Sequence, residues 1–157
     1  MSIAAEVVER LASRGLTLAT AEASIGGLVG HLLTDVPGAS RVYLGGGATY
    51  ANRAKHDLLG VPESLLVEHG AVSEPVVIAM ARGAREVMRS DLALAESGVA
   101  GPGGTPERPT GTYVLVLAGD GTERVLHRQF AGDRAAVKQQ AAEAMLQLVL
   151  DYLDETG

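Results

Sequence analysis

The fold this sequence predicts is α/β: a three-layer α/β/α sandwich with a mixed, mainly parallel sheet and a C-terminal hairpin. Three observations lead there. Segments with apolar residues at helical spacing alternate with short β-rich runs, the pattern that puts helices on both faces of a largely parallel sheet. Of the residues, 46% are hydrophobic, only 3% are aromatic and 20 are glycine. Leu, Val, Ile and Ala must therefore fill the interior, through close packing of helices on strands. Two β-rich runs flank Gly119-Asp120-Gly121, a hairpin signal. The 157 residues suit a single unit spanning 1–157, with no repeat or linker.

In chain order, Ile3, Val7, Val8 and Leu11 predict a first helix ending near Gly15. Leu16 to Ala21 is a short strand that enters a second helix through Gly26 and Gly27. Pro37 and Gly38 mark a turn before a strand over Arg41 to Tyr50, where Gly45, Gly46 and Gly47 suggest a bulge or close backbone approach. Asn52 can cap a helix to Leu58, and Pro62 starts another over Glu63 to Glu68. Ser73 is placed to cap a long helix with Pro75 in its first turn, reaching Arg89. Asp91 to Ser97 is a strand, followed by a Gly/Pro-rich loop to Thr110 and the two hairpin strands. Asp133 caps a last helix to about Leu153.

Composition narrows the function. With 13 basic and 19 acidic residues the formal charge is −6, and there is no basic stripe or set of stacking aromatics, so nucleic acid is not expected as a partner. Having no cysteine excludes disulfides, thiolate metal sites and a cysteine nucleophile. His31, His56, His69 and His127 lack metal spacing, so neither metal nor cofactor is expected. No charged leader precedes an apolar run, and no apolar run reaches membrane length. A cytoplasmic location and no membrane partner follow as expectations. The two longest helices carry broad apolar faces; core packing accounts for these first and a homo-oligomer second.

Four segments fall at strand ends, where open α/β sheets bind ligands. Ala21 to Gly27 includes Glu22, Ser24, Gly26 and Gly27: either a tight turn needing glycine for sterics, or free N–H groups facing an anion or oxyanion. Tyr50 to Lys55 contains Asn52, and with Asn52 as cap Lys55 sits one turn on, either exposed or held dry as a base. Ser97 to Pro106, with Gly101, Gly103, Gly104 and Thr105, lacks the helix a dinucleotide fingerprint needs, because Pro106 and Pro109 lead into a strand. It is a rigid crossover or a nest for phosphate or carboxylate. The fourth is Gly132-Asp133-Arg134, with Asp133 as cap and Arg134 either a surface charge or a ligand clamp.

In this order and spacing the segments resemble the C-terminal domain of the competence-damage-inducible (CinA) protein family, the nicotinamide-nucleotide amidohydrolases. Thr20-Ala21-Glu22 with Gly26-Gly27, Thr34 to Gly38, and Thr49-Tyr50 with Asn52 and Lys55 carry the resemblance. Leu59 to Pro62, His69 to Ser73, Gly98 to Pro102, Pro109 to Thr112 and Gly132 to Arg134 complete it. The similarity runs from about Ile3 to Leu153, without the family's separate N-terminal domain, so the stand-alone form is expected.

The resemblance implies hydrolysis of nicotinamide mononucleotide to nicotinate mononucleotide and ammonia, by a lysine-activated serine and without a metal. It places Lys55 as base beside Tyr50 and Asn52. Gly26 and Gly27 would supply donors, and the Gly101 to Thr105 loop would enclose the nucleotide. One departure is central: the family reads Ala-Glu-Ser-x-Thr-Gly-Gly, whereas this chain has Ala23 at the serine and Ile25 at the threonine. Ser24 is adjacent. Glu96 is a second departure, a carboxylate at a strand end where the family tends to be apolar, which would repel a phosphate or mark a changed ligand. Three readings follow: an amidohydrolase using Ser24 or a Lys55-activated water, a domain that binds a pyridine nucleotide without turnover, and an oligomerisation module.

Overall fold

Large side chains line one face of the strands and small ones the other, and the helices sort accordingly in the computed structural model, which describes Met1–Gly157. The elements are α1 (Ile3–Arg14), β1 (Leu18–Glu22), α2 (Leu28–Thr34), a 3₁₀ turn (Ala39–Arg41), β2 (Tyr43–Ala48), α3 (Asn52–Leu59) and α4 (Glu63–His69). They continue with α5 (Glu74–Met88), β3 (Leu92–Gly98), β4 (Thr112–Gly119), β5 (Thr122–Gln129) and α6 (Arg134–Thr156). One sheet runs in the order β2-β1-β3-β4-β5. β1 lies parallel to both β2 and β3, and the β4–β5 hairpin adds the antiparallel end. The α/β class, the mixed sheet and the C-terminal hairpin are therefore as the sequence predicts.

Because successive strand residues point to opposite faces, Leu18, Leu92, Leu94, Leu115 and Leu117 share one face and pack under α1, α2 and α6. Ala19, Ala21, Ala93, Ala95, Val116 and Ala118 share the other, and small residues there let α5 lie close. On its far side α5 meets α3 at Gly83, where a Cβ would collide with the Leu59 carbonyl oxygen. Gly83→Ala should therefore destabilise the domain by about 2 kcal/mol in urea denaturation, despite the better helix propensity of alanine.

The element ends follow local chemistry. Ser2 accepts a hydrogen bond from the Ala5 N–H, Gly15 closes α1 in the left-handed region, and Asp133 accepts from the Ala136 N–H at 2.9 Å. Three expectations change. Asn52 is not the cap of α3: Ala51 holds that position without a side-chain bond, so Lys55 falls one residue deeper than expected. Ser73 stands at the cap position of α5, but its hydroxyl donates to the Gly70 carbonyl. The strand expected from Arg41 begins at Tyr43, because Ala39–Arg41 coils into the 3₁₀ turn.

Candidate active site

The alternation that builds the core also selects what reaches the edge of the sheet where its parallel strands end. Glu22 follows Leu18 and Thr20 on β1, Glu96 follows Leu92 and Leu94 on β3, and Tyr113 precedes Leu115 on β4. All three therefore lie on the face covered by α2 and α6, where β1 and β3 end and β4 begins. Glu96 has no exposed surface. One of its oxygens accepts from the backbone N–H groups of Ala23 and Ile25, the latter at 3.1 Å. The other accepts from the Ser24 hydroxyl at 3.0 Å. Ser24 Oγ also lies 2.7 Å from the Tyr113 hydroxyl. Tyr113 can stand there because Gly98 pairs with it across β3 and β4, and a Cβ on Gly98 would enter the phenol ring.

Glu22 has a different task from the one the sequence suggested. Its two oxygens accept from the N–H groups of Val29 and Gly30 at 3.0 and 3.1 Å. It thus caps α2, whose own cap position, Gly27, has no side chain to do so. Both oxygens of its carboxylate are engaged at the start of the helix. Glu22→Ala should lower stability by about 2 kcal/mol in chemical denaturation, because two N–H groups lose their acceptor. The glycine turn is also less open than expected. The Gly26 N–H donates to the Ala23 carbonyl at 3.2 Å, and the Gly27 N–H turns toward Glu22. Neither is left free for an oxyanion.

Lys55 is not an exposed helix lysine. It is 1% exposed, and its Nζ donates to the carbonyls of Thr49 and Tyr50 at 2.8 and 3.0 Å. Tyr50 and Asn52 are exposed at the rim. Arg134, in the first turn of α6, donates to the Gly101 carbonyl, and its other nitrogen lies 3.4 Å from the Tyr50 hydroxyl. It joins the Tyr50 segment to the glycine loop. Lys138, one turn further along α6, places its Nζ 4.0 Å from where a Cβ on Gly26 would lie. In the loop, Gly103 and Gly104 are exposed, whereas Thr105 is engaged with Arg108 through both its N–H and its hydroxyl. Ser97 is buried and, by alternation, points to the opposite face with Ala93 and Ala95.

Burial pushes the Glu96 carboxyl up to about 7, against the pull of the Ala23 and Ile25 N–H groups and the Ser24 hydroxyl. Burial likewise raises the Tyr113 phenol to about 12, so it is a neutral donor at physiological pH. Burial lowers the Lys55 ammonium, and the negative charge of Glu96 opposes that shift. The edge thus holds a hydroxyl, a carboxyl poised near neutrality, a phenol and a dry ammonium, which are parts suited to acyl transfer. A cleft between Arg85, Arg89 and Gly121 opens at the opposite sheet edge, but it holds none of this chemistry.

Sequence reasoning did not find Tyr113 or Lys138. Tyr113 had no local signal, because its place opposite Gly98 depends on the pairing of β3 with β4; for Lys138 the signal was the four-residue spacing from Arg134 on one helix face.

Residues 1–153 match the family model described as the CinA C-terminal domain. A CinA-like protein of Syntrophotalea carbinolica is 46% identical over 153 residues, covering 97% of this chain and 37% of the relative. Another from Akkermansia muciniphila is 49% identical over 152 residues, covering 96% of this chain and 37% of the relative. The chain thus spans little more than a third of the length of these curated relatives. Among solved structures, a CinA superfamily protein from Klebsiella pneumoniae superposes with a TM-score of 0.94 at 31% identity, covering 98% of this chain and 96% of that one. A competence/damage inducible protein from Agrobacterium tumefaciens does so with a TM-score of 0.90 at 32% identity, covering 98% and 97%. With a family model and curated relatives covering nearly all of it, the chain belongs to the CinA C-terminal domain family.

Proposed function

We propose that this domain is a nicotinamide mononucleotide amidohydrolase in which Ser24 supplies the hydroxyl. The observation that carries the reading is the withdrawal of Lys55 from solvent at the same strand-end edge as Ser24. Burying an ammonium costs free energy, and here the Thr49 and Tyr50 carbonyls hold it at that edge. Family membership makes the carboxamide of a pyridine nucleotide the first substrate to test. Lys138 beside Gly26, and Arg134 one turn before it on α6 beside Gly101 and Tyr50, are cations suited to the nucleotide's phosphate. Tyr50 and Asn52 at the rim, with the Gly101–Gly104 loop, are the remaining groups able to contact it.

One feature favours a second reading, binding without turnover. Ala23 stands where the family places its serine, and its N–H is already taken by Glu96. Ammonia release from nicotinamide mononucleotide, with a binding isotherm for each protein, separates the two. The natural protein should release ammonia, and Ser24→Ala should bind the nucleotide but release none. Release only from Ala23→Ser/Ile25→Thr would establish the second reading. Neither binding nor release in any variant would remove both and leave an oligomerisation role.

A further inference from the structure

The geometry points to Glu96 as the base that takes the proton of Ser24, making Ser24–Glu96 a relocated nucleophile pair. The inference rests on the amidohydrolase reading for its substrate, but not for its chemistry. Two facts set Glu96 apart from a carboxylate that merely fills space. Its acceptor capacity is divided by role: one oxygen is held by the N–H groups of Ala23 and Ile25, and the other meets only the Ser24 hydroxyl. The first pair of bonds fixes the carboxyl plane, so the second oxygen is aimed at Ser24 without needing to move. Ser24 Oγ has one proton and two acceptors in reach, Glu96 at 3.0 Å and the Tyr113 hydroxyl at 2.7 Å. If that proton points to Glu96, the Tyr113 hydroxyl must donate to Ser24 Oγ at 2.7 Å. In that arrangement, the one the reaction uses, the chain runs from Tyr113 through Ser24 to Glu96.

The reaction closes on these groups. Ser24 Oγ forms a bond to the carboxamide carbon while its proton passes to Glu96, and the carbonyl π pair moves onto oxygen. When that pair returns, the C–N bond breaks, and the amine leaves as ammonia with the proton that Glu96 held. Water then attacks the Ser24 ester, gives a proton to Glu96, and the C–O bond to Ser24 breaks. Glu96 returns that proton to Ser24 Oγ, leaving the acid and the original pair. Tyr113 stays protonated throughout and holds the serine oxygen in place.

Charged groups on neighbouring elements bear on Glu96 directly or through Tyr113. Glu22 on β1 repels it, and the Lys55 ammonium on α3 attracts it. Tyr113 on β4 faces it through Ser24 and is itself influenced by Arg134 on α6 and by Tyr50. Burial outweighs these influences and places the carboxyl near neutrality, so the pair should be inactive in acid and active above about pH 7.

A fluorophosphonate probe tests the pair without assuming a substrate, since Ser24 Oγ displaces fluoride from it. The full chain is labelled between pH 5 and pH 9 and the site mapped by mass spectrometry, alongside Ser24→Ala and Glu96→Gln. Glutamine keeps an acceptor for the Ala23 and Ile25 N–H groups, and thermal unfolding verifies that this variant is folded. The expected result is a label on Ser24 whose rate rises with pH to a plateau past neutrality, falls at least 100-fold in Glu96→Gln with the pH dependence gone, and is absent in Ser24→Ala. Labelling of Glu96→Gln at the rate of the natural protein would overturn the assignment. So would the absence of label from Ser24 in the natural protein at every pH, which needs no variant. A Glu96-dependent label without ammonia release from nicotinamide mononucleotide would leave the pair standing and remove only the substrate. Ammonia release untouched by Glu96→Gln would do the reverse.

Discussion

Glu96→Gln should make the protein more stable above neutral pH, by roughly 3 kcal/mol. A carboxyl whose folded-state value is about 7, against 4.5 when exposed, binds its proton more tightly in the native state than in the unfolded one. Folding is then unpenalised below about pH 4.5. The penalty grows as pH rises and is complete above about pH 7, where the native protein must hold a buried carboxylate. That separation corresponds to roughly 3 kcal/mol. Glutamine resembles the protonated form: it accepts from the Ala23 and Ile25 N–H groups and carries no charge. Urea denaturation at pH 5 and pH 8.5 measures the effect. The two proteins should differ little at the lower pH, with the variant clearly more stable at the higher. Equal stability at both would mean that the carboxylate is accommodated without strain. A gain in stability accompanied by a loss of serine reactivity is the usual mark of a residue kept for function.

Lys55→Met should lower hydrolysis by about 10²- to 10³-fold and move the pH at which activity appears to a more alkaline value. Methionine fills much of the space of the lysine stem but removes the ammonium. The Thr49 and Tyr50 carbonyls lose their donor, and Glu96 loses the positive charge that favours its ionised form. With Glu22 still repelling it, Glu96 would then ionise at a higher pH. A profile of kcat/KM against pH for the two proteins reads both effects. A fall in rate without displacement of the profile would place Lys55 at the substrate rather than beside Glu96.

The features that could be read from the sequence were local ones. The first helix and its Gly15 terminus, the Asp133 cap and the β4–β5 hairpin depend on residues a few positions apart, and they stand as expected. What escaped depends on pairings across the sheet. Ser24 and Glu96 are 72 positions apart, and Ser24 and Tyr113 are 89 apart. They meet only because β1 pairs with β3 and β3 with β4. Glu96 was visible as an unexpected charge, but not as an acceptor for the Ala23 turn. The cap that Glu22 provides was hidden for a similar reason, since nothing local announces that a strand residue will cap a helix seven positions on. Lys55 was recognised by type and neighbourhood, whereas its burial required the fold.

The small-residue face of the sheet also sets the mutational tolerance of the site. Ala93 and Ala95 hold α5 close, and Gly83 of α5 in turn leaves no gap against the end of α3, the helix that carries Lys55. Enlarging either alanine would act as a wedge, passing a displacement through α5 to a lysine that neither residue needs to touch. The leucines on the opposite face belong to a larger and more varied cluster that can repack around an exchange. Laboratory evolution of this domain should therefore accumulate substitutions on one side of the sheet and almost none on the other.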